Sequence, residues 1–259
     1  MIIGFGILIA IAAAARSTWS PCGLSMLSQI TPMAEAGRQQ KFSRTAGWFI
    51  AGAVVGGVML GGAIALGALA VAAAGVQPRT ALALVVGLSF FAAAIDARLF
   101  GFGPPFVRRQ VNEEWLSTYR AWVYGAGFGW QIGNGVTTYV MTAAVPLMIA
   151  VGVLSRNPWA AIAIGAGFGL ARGLAVLMGA RLHSPAALLA FHRQFDAWGE
   201  PIRQAAIGAQ VAVAVMAAWI VAPIVIAGAV SVAAVALLTW TRGELRVGRE
   251  GIEPSTEGL

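Results

Sequence analysis

Cys22 is the one cysteine in 259 residues, and it stands in the run Trp19-Ser20-Pro21-Cys22-Gly23. A single thiol cannot close an intramolecular disulfide. It can form a mixed disulfide with a partner protein or contribute to a soft-metal site, given an electropositive and partly accessible setting. Arg16 lies about a turn and a half upstream on a helix. The bland alternative is a small apolar residue packed at a helix break.

Arg16 and Arg172 each fall near the middle of an apolar run, where an arginine is costly and marks a polar pathway or a pair. Asp96 is the carboxylate placed in or near such a run, and it is a candidate ion-pair partner. One acid cannot neutralise two separated guanidiniums. At least one of them therefore faces water, backbone carbonyls of a broken helix, or an anionic ligand. Gln131, Gly133 and Asn134, followed by Thr137 and Thr138, form a second polar patch, to which Ser25 and Ser28 add from the first run. Half-helix ends there can present backbone groups to a substrate, and polar residues also serve as interhelical glue.

Other reactive types carry less. His183 and His192 are nine apart in an expected cytoplasmic loop, without cysteine or paired carboxylates at metal spacing. Glu113 and Glu114 beside Trp115 read as an interfacial loop. No phosphate loop, nucleophile elbow, zinc-protease helix or dinucleotide fingerprint occurs in a fitting context. No cofactor and no metal are expected, and the balance leans away from an enzyme.

The elements that must position these residues follow from composition. Hydrophobic residues make up 59% of the chain and charged residues 10%, against about 25% charged in a soluble domain. Mean hydropathy is +0.79. Continuous runs of Ala, Val, Leu, Ile and Gly, without period-two alternation, imply an all-α, polytopic protein whose first partner is the lipid bilayer. Seven spans are expected, at about 2–31, 46–74, 80–100, 121–154, 159–180, 204–221 and 224–241. The first and fourth are too long for one straight helix, and are interrupted at Ser20-Pro21-Cys22-Gly23 and Gly133-Asn134-Gly135. Ala222-Pro223 is the corner between the last two, a single bent helix being the alternative.

The expected organisation is one transmembrane domain over 1–241. Two inverted three-helix repeats cover about 1–100 and 121–222, each led by a broken helix. An extra helix follows at about 224–241, then a polar tail at 242–259. Gly52, Gly56, Gly57, Gly61 and Gly62 in the second span read as close helix packing.

Charge sets the orientation. Arg38, Lys41, Arg44, Arg98, Arg108, Arg109, Arg120, Arg181, Arg193, Arg203, Arg242, Arg246 and Arg249 flank one side, and Arg79 and Arg156 the other. The basic side is cytoplasmic, which puts the N-terminus outside and the C-terminus inside. The net charge of +7 is thus a topology signal rather than a nucleic-acid footprint. Arginine outnumbers lysine sixteen to one, a composition that suggests a bacterial inner (plasma) membrane.

Ser20-Pro21-Cys22-Gly23-Leu24 on an N-terminal membrane helix resembles the Ser-Pro-Cys motif of the DsbD/CcdA superfamily. That group includes transmembrane cytochrome c biogenesis proteins and MauF-like methylamine-utilisation proteins. The resemblance extends over the two-trio layout, roughly 1–222. It implies a cysteine pair, one on the first helix and one on the fourth, that relays reducing equivalents from cytoplasmic thioredoxin to an extracytoplasmic thiol protein. Cys22 matches the first of these, while Gly133 stands at the place of the second. The relay therefore lacks its resolving thiol here. The function expected is support of thiol–disulfide handling or of the biogenesis of an extracytoplasmic redox protein, with a thioredoxin-like or other redox protein as partner. The alternatives are a transporter of a small anionic or thiol-containing solute, and a non-catalytic subunit or assembly factor of a membrane complex.

Overall fold

The computed structural model describes residues 1–99, 101, 104 and 118–250, the last nine of these by backbone alone. Glu113, Glu114 and Trp115 lie outside the described residues.

The chain folds as helices: α1 (Ile2–Thr18), α2 (Pro21–Gln29), α3 (Pro32–Gly37), α4 (Phe42–Ala73), α5 (Pro78–Asp96), α6 (Ala121–Asn134), α7 (Ala144–Leu154) and α8 (Pro158–Leu174). A tight 3-10 turn at Ala175–Arg181 leads to α9 (Pro185–Val221) and α10 (Ile224–Glu250). Local sequence explains the starts. Proline occupies the first turn of α2, α3, α5, α8 and α9, where its missing N–H costs nothing. Ser20, Thr31, Asn157 and Ser184 cap four of these with their side-chain oxygens.

Five helices are long and apolar enough to cross a bilayer, at Phe42–Ala73, Pro78–Asp96, Pro158–Arg181, Pro185–Val221 and Ile224–Thr241. Taken together, α1 and α2 are also long and apolar enough, bent by 69° at the break, as a broken span or a re-entrant loop is. This is a multi-pass helical membrane protein. The fourth expected span divides into α6 and α7, separated by nonhelical backbone over 135–143.

The corner at Ala222-Pro223 turns α9 back on α10. Trp219 Nε1 donates to Ser231 Oγ at 3.3 Å, and Gln204 Nε2 reaches the Thr241 carbonyl at 3.5 Å, so the two helices run side by side. A single bent helix could not make both contacts.

One expectation is corrected. The stretch 181–203, read as a loop, belongs mostly to α9, which starts at Pro185. Ser184 Oγ accepts from Ala187 N–H at 3.2 Å, and Phe191 and Phe195 give the new turns an apolar face against Trp19, with Trp19 and Phe195 stacked at 4.5 Å. An amphipathic helix beside the bilayer carries enough charge to hide from a search for continuous apolar runs.

At the centre α4 meets both α6 and α8 backbone to backbone. A Cβ built on Gly52 would lie 2.1 Å from the Ala126 carbonyl oxygen, on Gly56 2.3 Å from that of Trp130, and on Gly57 2.3 Å from that of Gly165. Gly61 is likewise closed, by Ile162, whereas Gly62 faces open space. The packing reading of these glycines holds for four of the five. The pairing is also exchange-symmetric: α4 packs on α8, α5 on α9, α1 on α8 and α9, and the α6–α7 pair on α4 and α5.

Candidate functional site

The first break is built by Ser20 to Gly23. Ser20 Oγ accepts from Gly23 N–H at 3.2 Å, and Pro21 fixes the first turn of α2. Gly23 is obligatory by space, since a Cβ there would lie 1.9 Å from the Thr18 carbonyl oxygen. Cys22 follows in the same turn, 2% exposed, in an apolar cluster with Met26, Phe49, Phe128, Ile132 and Val176. It sits at the N-terminal end of α2, where backbone N–H groups make the surroundings electropositive.

The second break follows α6. Gly135 turns left-handed at φ 73°, a conformation that suits glycine. Thr137 Oγ1 then donates to the Gln131 carbonyl at 3.0 Å. Gln131 thus contributes its backbone, while buried Asn134 Oδ1 has no partner. Gly133 is pressed on Ala53, whose carbonyl oxygen would lie 2.0 Å from an added Cβ. Gly133, which the Ser-Pro-Cys resemblance sets against a second cysteine, is therefore a helix contact with no room for a side chain.

Arg172 joins the two breaks. It is 1% exposed. Its Nη1 donates to the Ile132 carbonyl at 3.0 Å and to Thr138 Oγ1 at 3.4 Å, and its Nη2 donates to the Ser17 carbonyl at 3.2 Å. Ser17 lies in the last turn of α1 and Ile132 in the last turn of α6. A helix C-terminus carries roughly half a negative charge, so two of them offset one guanidinium without an acid. The plane lies over Phe168, 5.8 Å from the ring centroid, and Nε is left unpaired. Cys22 shares its apolar cluster with Ile132, whose carbonyl Arg172 holds.

Asp96 answers from the other side of the same gap. It is 5% exposed. Its Oδ1 accepts from Ala143 N–H at 2.7 Å, and its Oδ2 accepts from Thr142 Oγ1 at 2.5 Å and from Gln210 Nε2 at 2.7 Å. Thr142 and Ala143 open α7, so the carboxylate caps that helix from α5, with the favourable sign of the dipole. The expected ion pair is not formed among the described residues. Neutral donors and a helix N-terminus take the arginine's place.

Arg16 and Arg172 are not in one site. Arg16 is half-buried on the side of Asp96, Glu200, Arg203 and Arg98, and among the described residues it donates no hydrogen bond. Arg203 pairs with Glu200 at 2.7 Å and donates to the Asp96 carbonyl at 3.0 Å. Pro21, Cys22, Gly23, Gly133, Asn134 and Arg172 gather at the breaks, with Gln131 at their edge.

Two further tethers escaped the sequence reading. Glu35, on α3, is fully buried, which corrects the expectation of Asp96 as the carboxylate in or near a span. Its carboxylate accepts from Tyr124 at 2.7 and 2.9 Å and from Thr45, and pairs with Arg38 at 2.9 Å. The three-residue spacing of Glu35 and Arg38 after Thr31-Pro32 was the available signal. His192, expected in a solvated loop, instead sits on α9 with Nε2 2.9 Å from Ser28 Oγ. Among the described residues, no three of His, Cys, Asp and Glu come together as a metal site.

Sequence comparison bears on this arrangement. The methylamine utilization protein MauF of Paracoccus versutus is 30% identical over 177 residues, covering 65% of this chain and 62% of the relative. Those of Methylophilus methylotrophus and Paracoccus denitrificans are each 32% identical over 178 residues, covering 67% and 66% of this chain and 61% and 62% of the relatives. Over about two thirds of its length this chain is similar to MauF proteins. It spans about three fifths of the length of the MauF proteins it matches. No family model and no solved structure matches it. The MauF likeness agrees with one branch of the resemblance drawn from Ser-Pro-Cys-Gly.

Proposed function

We propose that this protein is an accessory membrane protein for the biogenesis of an extracytoplasmic redox protein, in the setting of methylamine utilisation that its relatives' name gives. In this reading Cys22 is its partner-facing thiol. The observation that carries the reading is the placement of Cys22 in the first turn after a 69° helix break, beside the arginine that holds both breaks together. A lone thiol at such a hinge can take one half of a mixed disulfide with a thioredoxin-like or other redox protein, which must then supply the resolving thiol.

The two trios are, in this proposal, inverted repeats within one transmembrane domain, followed by α10. Support comes from the exchange-symmetric pairing of α4 with α8 and α5 with α9. Basic ends face the cytoplasm of a bacterial inner membrane. Arg203 and Thr241 meet at one end through Gln204 and Glu200, while Arg79 meets the 222–223 corner at the other by donating to the Val221 carbonyl at 3.2 Å.

The deciding experiment compares wild type with Cys22→Ser in cells that depend on the protein for an active amine-oxidising enzyme. Expected are loss of that enzyme's activity and a partner trapped on Cys22 by a thiol-reactive cross-linker. Full activity in Cys22→Ser, with no trapped species, would remove the thiol role. The 2% exposure of Cys22 favours one second reading, a non-catalytic assembly subunit. That subunit would copurify with a stoichiometric partner and tolerate Cys22→Ser.

A further inference from the structure

The polar cluster at the head of α7 has a feature that ordinary helix capping does not need. Gln210 is fully buried, and its Oε1 has no partner although its Nε2 donates to Asp96 Oδ2 at 2.7 Å. Asp96 Oδ1 is committed to a backbone N–H that has no other acceptor. Oδ2 is held by two side-chain groups: the Thr142 hydroxyl, which itself accepts from Ala144 N–H at 3.1 Å, and the Gln210 amide, whose other end is unpaired. An amide turned over presents an acceptor where it had presented a donor. The cluster can therefore satisfy a carboxylate in one arrangement and a carboxylic acid in the other.

We infer that Asp96, Thr142 and Gln210 form a proton-binding site that latches and releases the N-terminus of α7. In the charged state Asp96 holds Thr142 and Ala143 and completes the cap. A hydronium ion delivers one proton to Oδ2, leaving water. Gln210 rotates, and the new O–H donates to Oε1. The negative charge that favoured the helix end is then gone, and with it the charge-assisted part of three hydrogen bonds. The inference is independent of any role for Cys22.

Two observations support movement at this point. Alongside the latch a groove of about 570 Å3 is lined by Leu88, Phe91, Ile95, Val136, Val140 and Pro146. The short helix α7 and the nonhelical backbone before it thus have apolar space beside them. The cluster is tied to a partly exposed ion pair, since Arg203 from α9 donates to the Asp96 carbonyl at 3.0 Å and pairs with Glu200, whose side chain is 37% exposed. The charged group facing the Asp96 side chain is Arg16 from α1, while Arg98, Glu200 and Arg203 surround Arg16. Neither α7 nor residues 224–241 of α10 contain a titratable side chain. The three neutral donors and the helix N-terminus hold the charged form while α7 is docked.

The test is hydrogen exchange of the full chain in lipid nanodiscs across a pH series, with protection corrected for intrinsic rates and referred to α8. Wild type is expected to lose roughly tenfold of its protection over 136–148 on acidification, the scale of a hydrogen bond to a charged group. A carboxylic-acid band should grow in the infrared spectrum at the same midpoint. Asp96→Asn should lack that band and show low, pH-independent protection. Gln210→Leu, which keeps the carboxylate, should displace both midpoints together. Flat protection in wild type, a pH response that survives in Asp96→Asn, or an unchanged midpoint in Gln210→Leu would each overturn the inference.

Discussion

The guanidinium of Arg172 lies 3.2 Å from the carbonyl of Ser17, a residue 155 positions earlier in the chain. That bond, with its counterpart to Ile132 at 3.0 Å, makes one side chain the acceptor-filler for two interrupted helices. Carbonyls at helix ends buried away from water need donors, and lipid offers none. A long, five-donor side chain from α8 can reach both breaks where a shorter one would reach one.

Removing Arg172 should therefore cost more than an average membrane-protein substitution. Arg172→Met leaves the buried Ile132 carbonyl unpaired, at about 1–3 kcal/mol, and takes one of two donors from the Ser17 carbonyl, which keeps Ser20 N–H at 3.2 Å. The expected result is a clear fall in melting temperature in detergent. Arg172→Lys should recover only part of it, because a single ammonium cannot span both carbonyls. Equal melting temperatures for wild type and Arg172→Met would show that water or neighbouring groups already satisfy these ends.

How far this was legible in sequence varies from residue to residue. Both breaks were readable because Ser20-Pro21 and Gly133-Asn134-Gly135 carry their own backbone chemistry. The solution for Arg172 was narrowed to a short list that included broken-helix carbonyls, but choosing among them needed the packing of α8 between α1 and α6. Asp96 was read as half of an ion pair because charge suggests charge. Its actual partner, the head of α7, is a dipole created by folding and has no residue type to announce it. Glu35 was missed because α3 is too short and too mixed to resemble a membrane element. The helical start of α9 was missed because its burial is one-sided, against Trp19 and Ser28.

Gly23 and Gly62 provide a matched pair. Gly23→Ala puts a methyl 1.9 Å from the Thr18 carbonyl oxygen, a contact the backbone itself must move to relieve. Gly62→Ala meets nothing within 4 Å and gains roughly 0.5–1 kcal/mol of helix propensity. Thermal stability in detergent should drop for the first and hold or rise slightly for the second. A neutral Gly23→Ala would mean that the turn between α1 and α2 adjusts freely.

The Glu35 cluster should behave as one unit. Tyr124→Phe removes one hydroxyl donor from a carboxylate that keeps Thr45 and Arg38, at about 1–2 kcal/mol for a bond to a charged group. Glu35→Gln leaves Arg38 without its anion and should cost more, since breaking a buried pair strands a charge. In the double variant the losses should fall short of their sum, measured as a coupling energy by thermal or denaturant unfolding. Strict additivity would show that Tyr124 and Glu35 act separately.

Orientation is open to a direct test because the protein has one cysteine. In a Cys22→Ser background, cysteines placed singly at Gln40 and at Gly75 mark opposite ends of α4, since Gln40 lies two residues before its first residue and Gly75 two residues after its last, at φ 69°. The arginine distribution assigns Gln40 to the cytoplasm and Gly75 to the outside. An impermeant maleimide added to intact cells should label the Gly75 position at once, and the Gln40 position only after permeabilisation. The reverse pattern would invert the whole topology, and with it the side from which a partner could approach the hinge at Cys22. Labelling of both positions in intact cells would mean that α4, long as it is, does not span.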